Sequence, residues 1–314
     1  MQSPSFHLPR TAVTFGWSRD HAPRLTVPSG AEIVVEADEC SHGQITPGAT
    51  ADIVRNLDFE RVDLASGPVA VEGARPGDVL QVDILDMRVG SYGWSAIHPG
   101  YGLLAEDFPD AWLYMWDLTQ GPRAAYVKGV TVPIEPMAGV LGVAPSEPGV
   151  HDPIPPRVTG GNMDSRYMGP GTTVFLPVEV EGALFGVGDP HAAQGDGEVA
   201  GAGIEAPMTI TVRLTVRRDF SIESPEYIVR RPIERPSAAA AGYYVTSGIG
   251  PDLLESSKNA VRRMIRHIER DHGLDPMEAY MLCSVAMDLK ITEIVDDPNF
   301  MVSAFLPYDL FPGR

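Results

Sequence analysis

An unbroken alternation of apolar and polar side chains over residues 208–217 is the feature that most limits what this chain can fold into. Methionine, isoleucine, valine and leucine occupy every second position there, and threonine and arginine fill the positions between them. Because successive side chains of a strand point to opposite faces, the pattern predicts a strand with one buried and one solvated face. Shorter alternations at Leu80–Ile84 and Val174–Val180 predict further strands of the same kind.

Glycine and proline divide the first 250 residues into many short segments. The chain has 314 residues, of which 32 are glycine and 29 proline, spread along its length. They bound short apolar runs that are also expected to be strands, at Ile33–Val35, Val69–Val71, Gly129–Ile134 and Gly182–Val187. The fold class predicted is mainly β, with a sandwich-like or barrel-like N-terminal and central part.

The pattern changes to a helical period after residue 250. Apolar residues recur at helical spacing over about 252–271, and Asp275-Pro-Met-Glu278 has the residues that begin a second helix, predicted to reach about Leu289. We therefore expect a β-rich domain over 1–220 that carries the functional site. A smaller α+β region over 221–314 should pack two helices on it.

Charge and composition exclude several classes of protein. The 42 acidic residues exceed the 24 basic ones and give a net charge of −18, which opposes binding to nucleic acid. The sequence contains no apolar run of the length that a membrane helix needs, and its start does not resemble a signal peptide. A cytoplasmic protein without a membrane partner is expected. Cys40 and Cys283 are far apart in sequence and predict neither a disulfide framework nor a thiolate zinc site.

Three glycine-rich or acidic segments carry the candidate chemistry. The densest is 188–198, where Asp189, His191, Asp196 and Glu198 offer oxygen and nitrogen ligands for a divalent metal, although a solvated acidic turn is the simpler alternative. The segment 159–164 offers polar side chains that are equally typical of a turn. The third segment, 34–44, contains acidic residues that are either ligands or an exposed strand end.

Two pairs of side chains in the latter segments are singled out. Asn162 and Asp164 follow a Gly-Gly bend, and their loop is expected to meet the loop of His191 at one end of a sheet. Glu36 and Asp38 would share one face of a strand, roughly 7 Å apart, if the strand continues through residue 38.

The ordered set of motifs resembles the acetamidase/formamidase family. It includes Gly67-Pro-Val-Ala-Val-Glu-Gly-Ala-Arg-Pro-Gly-Asp78, Gly160-Gly-Asn-Met-Asp164 and Gly188-Asp-Pro-His-Ala-Ala-Gln-Gly-Asp-Gly-Glu-Val199. The resemblance implies a predominantly β fold, a homo-oligomer such as a dimer, and hydrolysis of short-chain amides such as formamide and acetamide. It also implies a divalent metal, with zinc expected and calcium or manganese as alternatives. The chain departs from the family pattern at His98, where a small or apolar residue is expected.

Carried over residue by residue, the resemblance suggests a metal-dependent amidohydrolase. Asp38, Asp164, His191 and Glu198 are the expected metal ligands, and Asn162 and Gln194 are expected to bind the substrate. The expected general base is Asp196, or else Glu36, which lies outside the positions that match the family. A metal-activated water would then attack the carbonyl carbon. The alternative is a non-catalytic or cupin-like metal-binding β-sandwich, although the His-x-His pair of a cupin is missing after His191.

Overall fold

The structure is a computed structural model that describes residues 6–230 and 242–311. Its strands before residue 135 are β1 (Phe6–Leu8), β2 (Val13–Thr14), β3 (Leu25–Val27), β4 (Ala31–Ala37), β5 (Ala65–Val71), β6 (Val79–Val89), β7 (Tyr92–Ile97), β8 (Trp112–Asp117), β9 (Arg123–Ala125) and β10 (Thr131–Pro133). The later strands are β11 (Met137–Gly142), β12 (Gly160–Asn162), β13 (Thr172–Pro177), β14 (Phe185–His191), β15 (Met208–Arg217), β16 (Glu226–Val229), β17 (Tyr243–Gly250), β18 (Asp288–Glu293) and β19 (Phe300–Pro307). The α-helices of the described ranges are α1 (Ala51–Val54), α2 (Leu253–His272) and α3 (Pro276–Ala286).

Two six-stranded sheets form the main body, and a smaller sheet accompanies the helices. The first has the order β1-β4-β15-β6-β13-β16, and the second has the order β12-β11-β14-β5-β2 with β3 paired to β5. The third sheet, β17-β19-β18, lies beside α2 and α3. The predicted fold class is thereby confirmed: sandwich-like sheets carry a small helical C-terminal part, and the sheets do not close into a barrel.

Strand β15 shows why the alternation at 208–217 is decisive. It pairs with β4 on one side and β6 on the other, with Ile210 opposite Val35 and Met87. Its apolar residues from Met208 to Leu214 are 0–2% exposed, whereas the threonines and arginines between them are half-buried. One face of a central strand therefore covers the core, as the period of two requires.

The two C-terminal helices begin where the capping residues predict. Asp252 accepts a hydrogen bond from the Glu255 backbone at the start of α2, and Asp275 and Glu278 form a reciprocal capping box at the start of α3. The predicted end of α3 at Leu289 is wrong, because the helix ends at Ala286 and residues from Asp288 pair with β19. An extended partner strand takes the backbone hydrogen bonds that another helical turn would have used.

The predicted division at residue 220 stays a prediction. Buried apolar residues from both parts of the chain pack into one cluster, which includes Leu80, Ile210, Met264 and Leu282. Strand β16 lies beyond residue 220 yet pairs with β13 of the first sheet. In the ranges that the structure describes, every helix is too short or too polar to cross a membrane.

Candidate active site

Strand β11 separates the two segments that supply most of the polar side chains of one cavity. It pairs with β12, where Val140 lies opposite Asn162, and with β14, where Met137 lies opposite His191. The ends of β12 and β14 therefore emerge on either side of the same strand. This register explains how two loops distant in sequence reach one cavity, which has an empty volume of about 630 Å³ including its opening.

Gly139 in β11 leaves room for two carboxylates to approach each other. A Cβ atom at this position would lie 2.4 Å from Asp189 Oδ2 and 2.5 Å from Asp164 Oδ1, well inside ordinary contact distance. Only a residue without a side chain is compatible with this arrangement. The glycine thus lets the segments on both sides of β11 present their acidic groups to the same space.

The chain that follows β14 folds back along the cavity and adds further ligands. Glu198 lines the cavity, and Glu205 is held by backbone hydrogen bonds of 2.8 and 2.9 Å with Trp94 of β7. Glu205 and His191 also form a β-bridge, which places their side chains side by side. The loop after β4 contributes Cys40 to the same cavity.

The imidazole of His191 is the centre of the site and is 1% exposed. Its Nδ1 lies 2.8 Å from Gln194 Oε1, while the Gln194 amide nitrogen donates to the carbonyl oxygen of Asp164 at 2.5 Å. Since the amide nitrogen is used there, Gln194 can only accept from the imidazole, which assigns the proton to Nδ1. In the neutral imidazole, the Nε2 atom then carries the lone pair.

That Nε2 lone pair faces two carboxylates. Asp189 Oδ1 and Glu205 Oε2 each lie 3.0 Å from His191 Nε2, and Glu205 Oε2 has no hydrogen-bond partner among the described residues. With a proton on Nδ1 alone, three acceptor atoms converge without a donor between them, whereas a second proton on Nε2 would be shared with both carboxylates. Such a convergence is stable only if a proton or a cation lies among the three atoms.

Five carboxylates line the cavity within the described part of the chain, and burial perturbs most of them. They belong to Asp63, Asp164, Asp189, Glu198 and Glu205. Burial, reinforced by neighbouring carboxylates, raises the pKa of Asp164 to about 7, that of Glu205 to about 8, and those of Asp63 and Glu198 well above their usual values. Without a cation the raised pKa values favour the protonated forms of these four acids.

His191 and Cys40 respond to the same surroundings. Burial works to lower the pKa of His191, but the carboxylates of Asp189 and Glu205 outweigh it and raise this pKa well above its usual value. Burial and the nearby acids raise the pKa of the Cys40 thiol. A free Cys40 is consequently a poor nucleophile, since only the thiolate attacks carbonyl carbon efficiently.

Four of these carboxylates sit on backbone in the left-handed region. The φ angles are +55° at Asp63, +42° at Asp164, +46° at Asp189 and +41° at Glu198. L-residues seldom adopt this conformation, which costs roughly 1–2 kcal/mol per residue. Such strain is concentrated at functional sites, because the surrounding sheet must enforce it.

The structure brings together some, but not all, of the residues predicted from sequence. Asn162, Asp164, His191 and Glu198 line the cavity, and ligand atoms of the last three lie within 4.8 Å of one another. Gln194 is buried behind His191.

The other three predicted residues lie away from the cavity lining. Asp38 forms ion pairs with Arg10 at 2.7 Å and His42 at 3.3 Å, and the exposed Glu36 contacts His7. The carboxylate of Asp196 accepts a hydrogen bond of 2.6 Å from the Tyr167 hydroxyl. The geometry therefore favours other carboxylates for the roles that sequence reasoning gave to these three.

Sequence reasoning missed three residues of the cavity wall. Asp63 and Glu205 are single acids inside otherwise apolar stretches, Val62–Leu64 and Ile204–Ala206, and an isolated charge of this kind was the available signal. Cys40 was considered only for disulfide or thiolate zinc chemistry. Its proximity to Asp63 depends on the contact between the β4 and β5 ends, which no local pattern reveals.

An apolar wall completes the cavity. It is formed by Val54, Leu57, Phe59, Trp94 and Ile154, together with smaller side chains such as Ala96 and Ala202. The Phe59 ring packs edge-on against His98 with ring centroids 4.8 Å apart. A small uncharged group could therefore rest against this wall while its polar end faces His191.

Comparison with known proteins gives a consistent result over nearly the whole chain. Residues 9–153 and 149–312 match the profile of the Acetamidase/Formamidase family. The formamidase of Methylophilus methylotrophus is 26% identical, with 94% of this chain and 88% of the relative covered. Among solved structures, the acetamidase of Bacillus halodurans is 32% identical with a TM-score of 0.69, covering 96% of this chain and 97% of that one. The γ-lactamase of Delftia acidovorans is 26% identical with a TM-score of 0.89, covering 96% and 90%.

Proposed function

Because the chain belongs to the acetamidase/formamidase family and is a hydrolase of linear amide C–N bonds, we propose that the cavity around His191 hydrolyses short-chain amides with the help of a divalent cation. The observation that carries this proposal is the convergence of two buried carboxylate oxygens on one imidazole nitrogen, with Asp189 Oδ1 and Glu205 Oε2 each 3.0 Å from His191 Nε2. Family membership also favours an enzyme over the alternative of a non-catalytic metal-binding sandwich.

The donor set fits a transition metal better than calcium. We assign Asp189, His191 and Glu205 as the residues that hold the cation, since their ligand atoms lie within 4.8 Å of one another and all three are buried. One imidazole with two carboxylates suits zinc or manganese, whereas calcium prefers oxygen alone. When bound, such a cation polarises an amide carbonyl and lowers the pKa of water.

Glu198 has the position of a general base. Its Oε1 lies 4.0 Å from His191 Nδ1, its side chain is 17% exposed, and it lines the cavity beside Asp164. Hydrolysis adds water across the C–N bond, so a base must take one water proton and the departing nitrogen must receive one. The Glu198 carboxylate can accept the proton and return it to the leaving ammonia, with Asp164 stabilising the protonated form.

The side-chain amides of Asn162 and Gln194 have different proposed roles, one toward the substrate and the other toward His191. Asn162 Oδ1 is buried without a hydrogen-bond partner among the described residues, so it can accept a hydrogen bond from the substrate NH₂ group. Gln194 was predicted to bind substrate, but both ends of its amide contact the protein, at His191 Nδ1 and the Asp164 carbonyl. Its role is therefore to hold the imidazole in the tautomer that leaves Nε2 free.

The substrate class follows from the two halves of the cavity. The carboxamide group lies between Asn162 and the acidic cluster, and the acyl part lies against Phe59, Trp94 and Ile154. An uncharged aliphatic amide satisfies both halves, whereas an acidic acyl group would meet the carboxylates. Formamide and acetamide are the first substrates to test.

Chelation tests the proposal directly. Protein dialysed against a strong chelator, and shown by elemental analysis to be metal-free, should no longer release ammonia from formamide or acetamide. Addition of zinc or manganese should restore turnover. Full activity of the metal-free protein would refute the metal-dependent mechanism while leaving the family assignment intact.

Four substitutions separate the proposed roles. His191→Ala and Glu205→Gln should lose both the cation and turnover, whereas Glu198→Gln should retain the cation and lose at least 100-fold in kcat. Loss of the cation in Glu198→Gln would instead support the set predicted from sequence, in which Asp164 and Glu198 are ligands. Asp196→Asn tests the predicted base outside the cavity and should keep most of the activity.

The proposal also includes the identity of the cation and the oligomeric state of the chain. We expect zinc, and elemental analysis of the purified protein would identify it. We also expect a homo-oligomer such as a dimer, as the family resemblance implies. Sedimentation equilibrium of the purified chain would measure its assembly state.

The higher TM-score of the γ-lactamase supports a second candidate substrate. That structure superimposes with a score of 0.89, against 0.69 for the acetamidase. A γ-lactam is a cyclic amide whose ring would contact the apolar wall, and its hydrolysis yields an amino acid instead of ammonia. Comparing kcat/KM for a γ-lactam and for acetamide by chromatography of the products decides between the two.

A further inference from the structure

A second group of cation ligands lies in the wall of the same cavity. The Cys40 sulfur and one carboxylate oxygen each from Asp63 and Asp189 lie within 4.8 Å of one another. Cys40 follows β4, and Asp63 precedes β5. The Asp63 backbone N–H donates to the Cys40 carbonyl oxygen at 3.0 Å, which holds the two segments together.

The side chain of Asp63 lines the cavity without a protein partner for its carboxylate. The residue is 8% exposed, and no hydrogen bond or ion pair to its carboxylate oxygens occurs among the residues that the structure describes. A buried carboxylate in this state is costly unless a proton or a cation joins it. The unpartnered carboxylate of Asp63 is therefore evidence for a bound ligand in addition to the grouping of the three side chains.

Charge balance within the cavity is compatible with the same conclusion. When all five carboxylates are ionised and His191 is neutral, the carboxylates exceed the charge of one divalent cation by three, and either protons or a second cation must balance that excess. A second divalent cation reduces this excess to one, or to two if Cys40 binds as a thiolate. No lysine or arginine lines the cavity in the described ranges, so the protein does not supply the missing positive charge itself.

We propose that Cys40, Asp63 and Asp189 form a second binding position for a divalent cation of the zinc class, next to the position at His191. Asp189 contributes to both positions, because a carboxylate has two oxygens that can each contact one ion. The inference rests on the proposed function for the first position and extends it to a two-cation site.

The sulfur ligand defines which cation this second position accepts. Thiolates bind zinc, cobalt and cadmium, whereas calcium and magnesium require oxygen ligands. The thiol must lose its proton to the solvent when the cation binds. The two positions consequently differ, since the first combines imidazole with carboxylates and the second contains sulfur.

Metal content of the full-length protein gives the first test. After loading with zinc and dialysis to remove free ion, the wild-type chain should contain two zinc ions. Cys40→Ser and Asp63→Asn should each contain one, and asparagine at residue 63 tolerates the left-handed backbone there. Cys283→Ala is the matched control, because Cys283 is buried in α3 outside the cavity, and it should retain two ions.

Cobalt substitution gives a test that reports sulfur ligation itself. The cobalt-loaded wild type should show a thiolate-to-cobalt charge-transfer band in the near ultraviolet, which Cys40→Ser should abolish and Cys283→Ala should preserve. One ion per wild-type chain, or two ions without this band, would overturn the second position and leave the proposed function standing. Amide hydrolysis by a chain that binds no cation would overturn both.

Discussion

Replacing Gly139 with alanine tests whether catalysis depends on the close approach of two acidic loops across β11. The added Cβ would lie 2.4 Å from Asp189 Oδ2 and 2.5 Å from Asp164 Oδ1, and ordinary contact begins near 3.4 Å. The two carboxylates would each have to move by about 1 Å. Neither can retreat freely, since Asp189 lies within β14 and Asp164 closely follows β12, and both strands pair with β11.

The size of the effect follows from that displacement. A misplacement of about 1 Å at a reacting centre costs roughly 100-fold in rate, so kcat/KM for acetamide should fall by about that factor. Overpacking a buried strand should also lower the free energy of unfolding by about 1–3 kcal/mol. Affinity for the cation should fall too, because Asp189 is one of its proposed ligands.

Steady-state ammonia release, metal content and urea denaturation of Gly139→Ala measure these three effects. Gly186→Ala is the matched control, because the three atoms nearest to a Cβ there belong to Ala65 and Trp17, the closest at 2.9 Å, and to no carboxylate. It should reproduce the loss of stability while retaining the cation and most of the activity. If Gly139→Ala is as active as Gly186→Ala and keeps its cation, the carboxylate crowding is unimportant for function.

Three further substitutions test parts of the cavity and of its support. Glu39→Gln should lower the free energy of unfolding, measured by urea denaturation, by about 1–3 kcal/mol. The buried Glu39 carboxylate accepts four hydrogen bonds, from Ser41, Gly43 and Trp94, and an amide cannot accept them all. An unchanged denaturation midpoint would contradict this reasoning. Phe59→Ala should lower kcat/KM for a four-carbon amide roughly tenfold relative to formamide, and equal losses for both substrates would place the acyl group elsewhere. Arg166→Met should cost about 3 kcal/mol of stability, since Arg166 contacts the buried Asp288; a change below 1 kcal/mol would show that other groups compensate.

Local sequence patterns predicted the main strands and helices because the residues that determine these elements lie within the elements themselves. The alternation at 208–217 matches the bounds of β15, and Asp275 begins α3 because its side chain and that of Glu278 satisfy backbone groups within one turn. The end of α3 could not be located in the same way. It depends on pairing between Asp288–Glu293 and β19, a contact between distant residues.

The candidate site was predictable only where its residues stand in glycine-rich loops. Asn162 and His191, which line the cavity, were singled out because their glycine-rich segments combine several polar side chains, and the structure places them at the ends of β12 and β14. Glu205 and Asp63 lie in apolar segments whose partners are set by the order of the strands. Asp38 shows the opposite case, because its acidic segment suggested a ligand while the fold pairs it with Arg10 and His42.

The residues that line the cavity lower the stability of the folded protein. Their arrangement therefore has to be held in place by the pairing of the surrounding strands. Asp63, Asp164, Asp189 and Glu198 each occupy left-handed backbone at about 1–2 kcal/mol, and their charges repel one another in a buried space. Pairing of β11 with β12 and β14, and of β14 with β5, holds these residues in place despite that cost. A cation that binds only the folded chain adds about 4.1 kcal/mol at a thousand times its dissociation constant, enough to offset two or three such residues. The proposed cation would therefore offset part of the cost of holding these four carboxylates close together in a buried space.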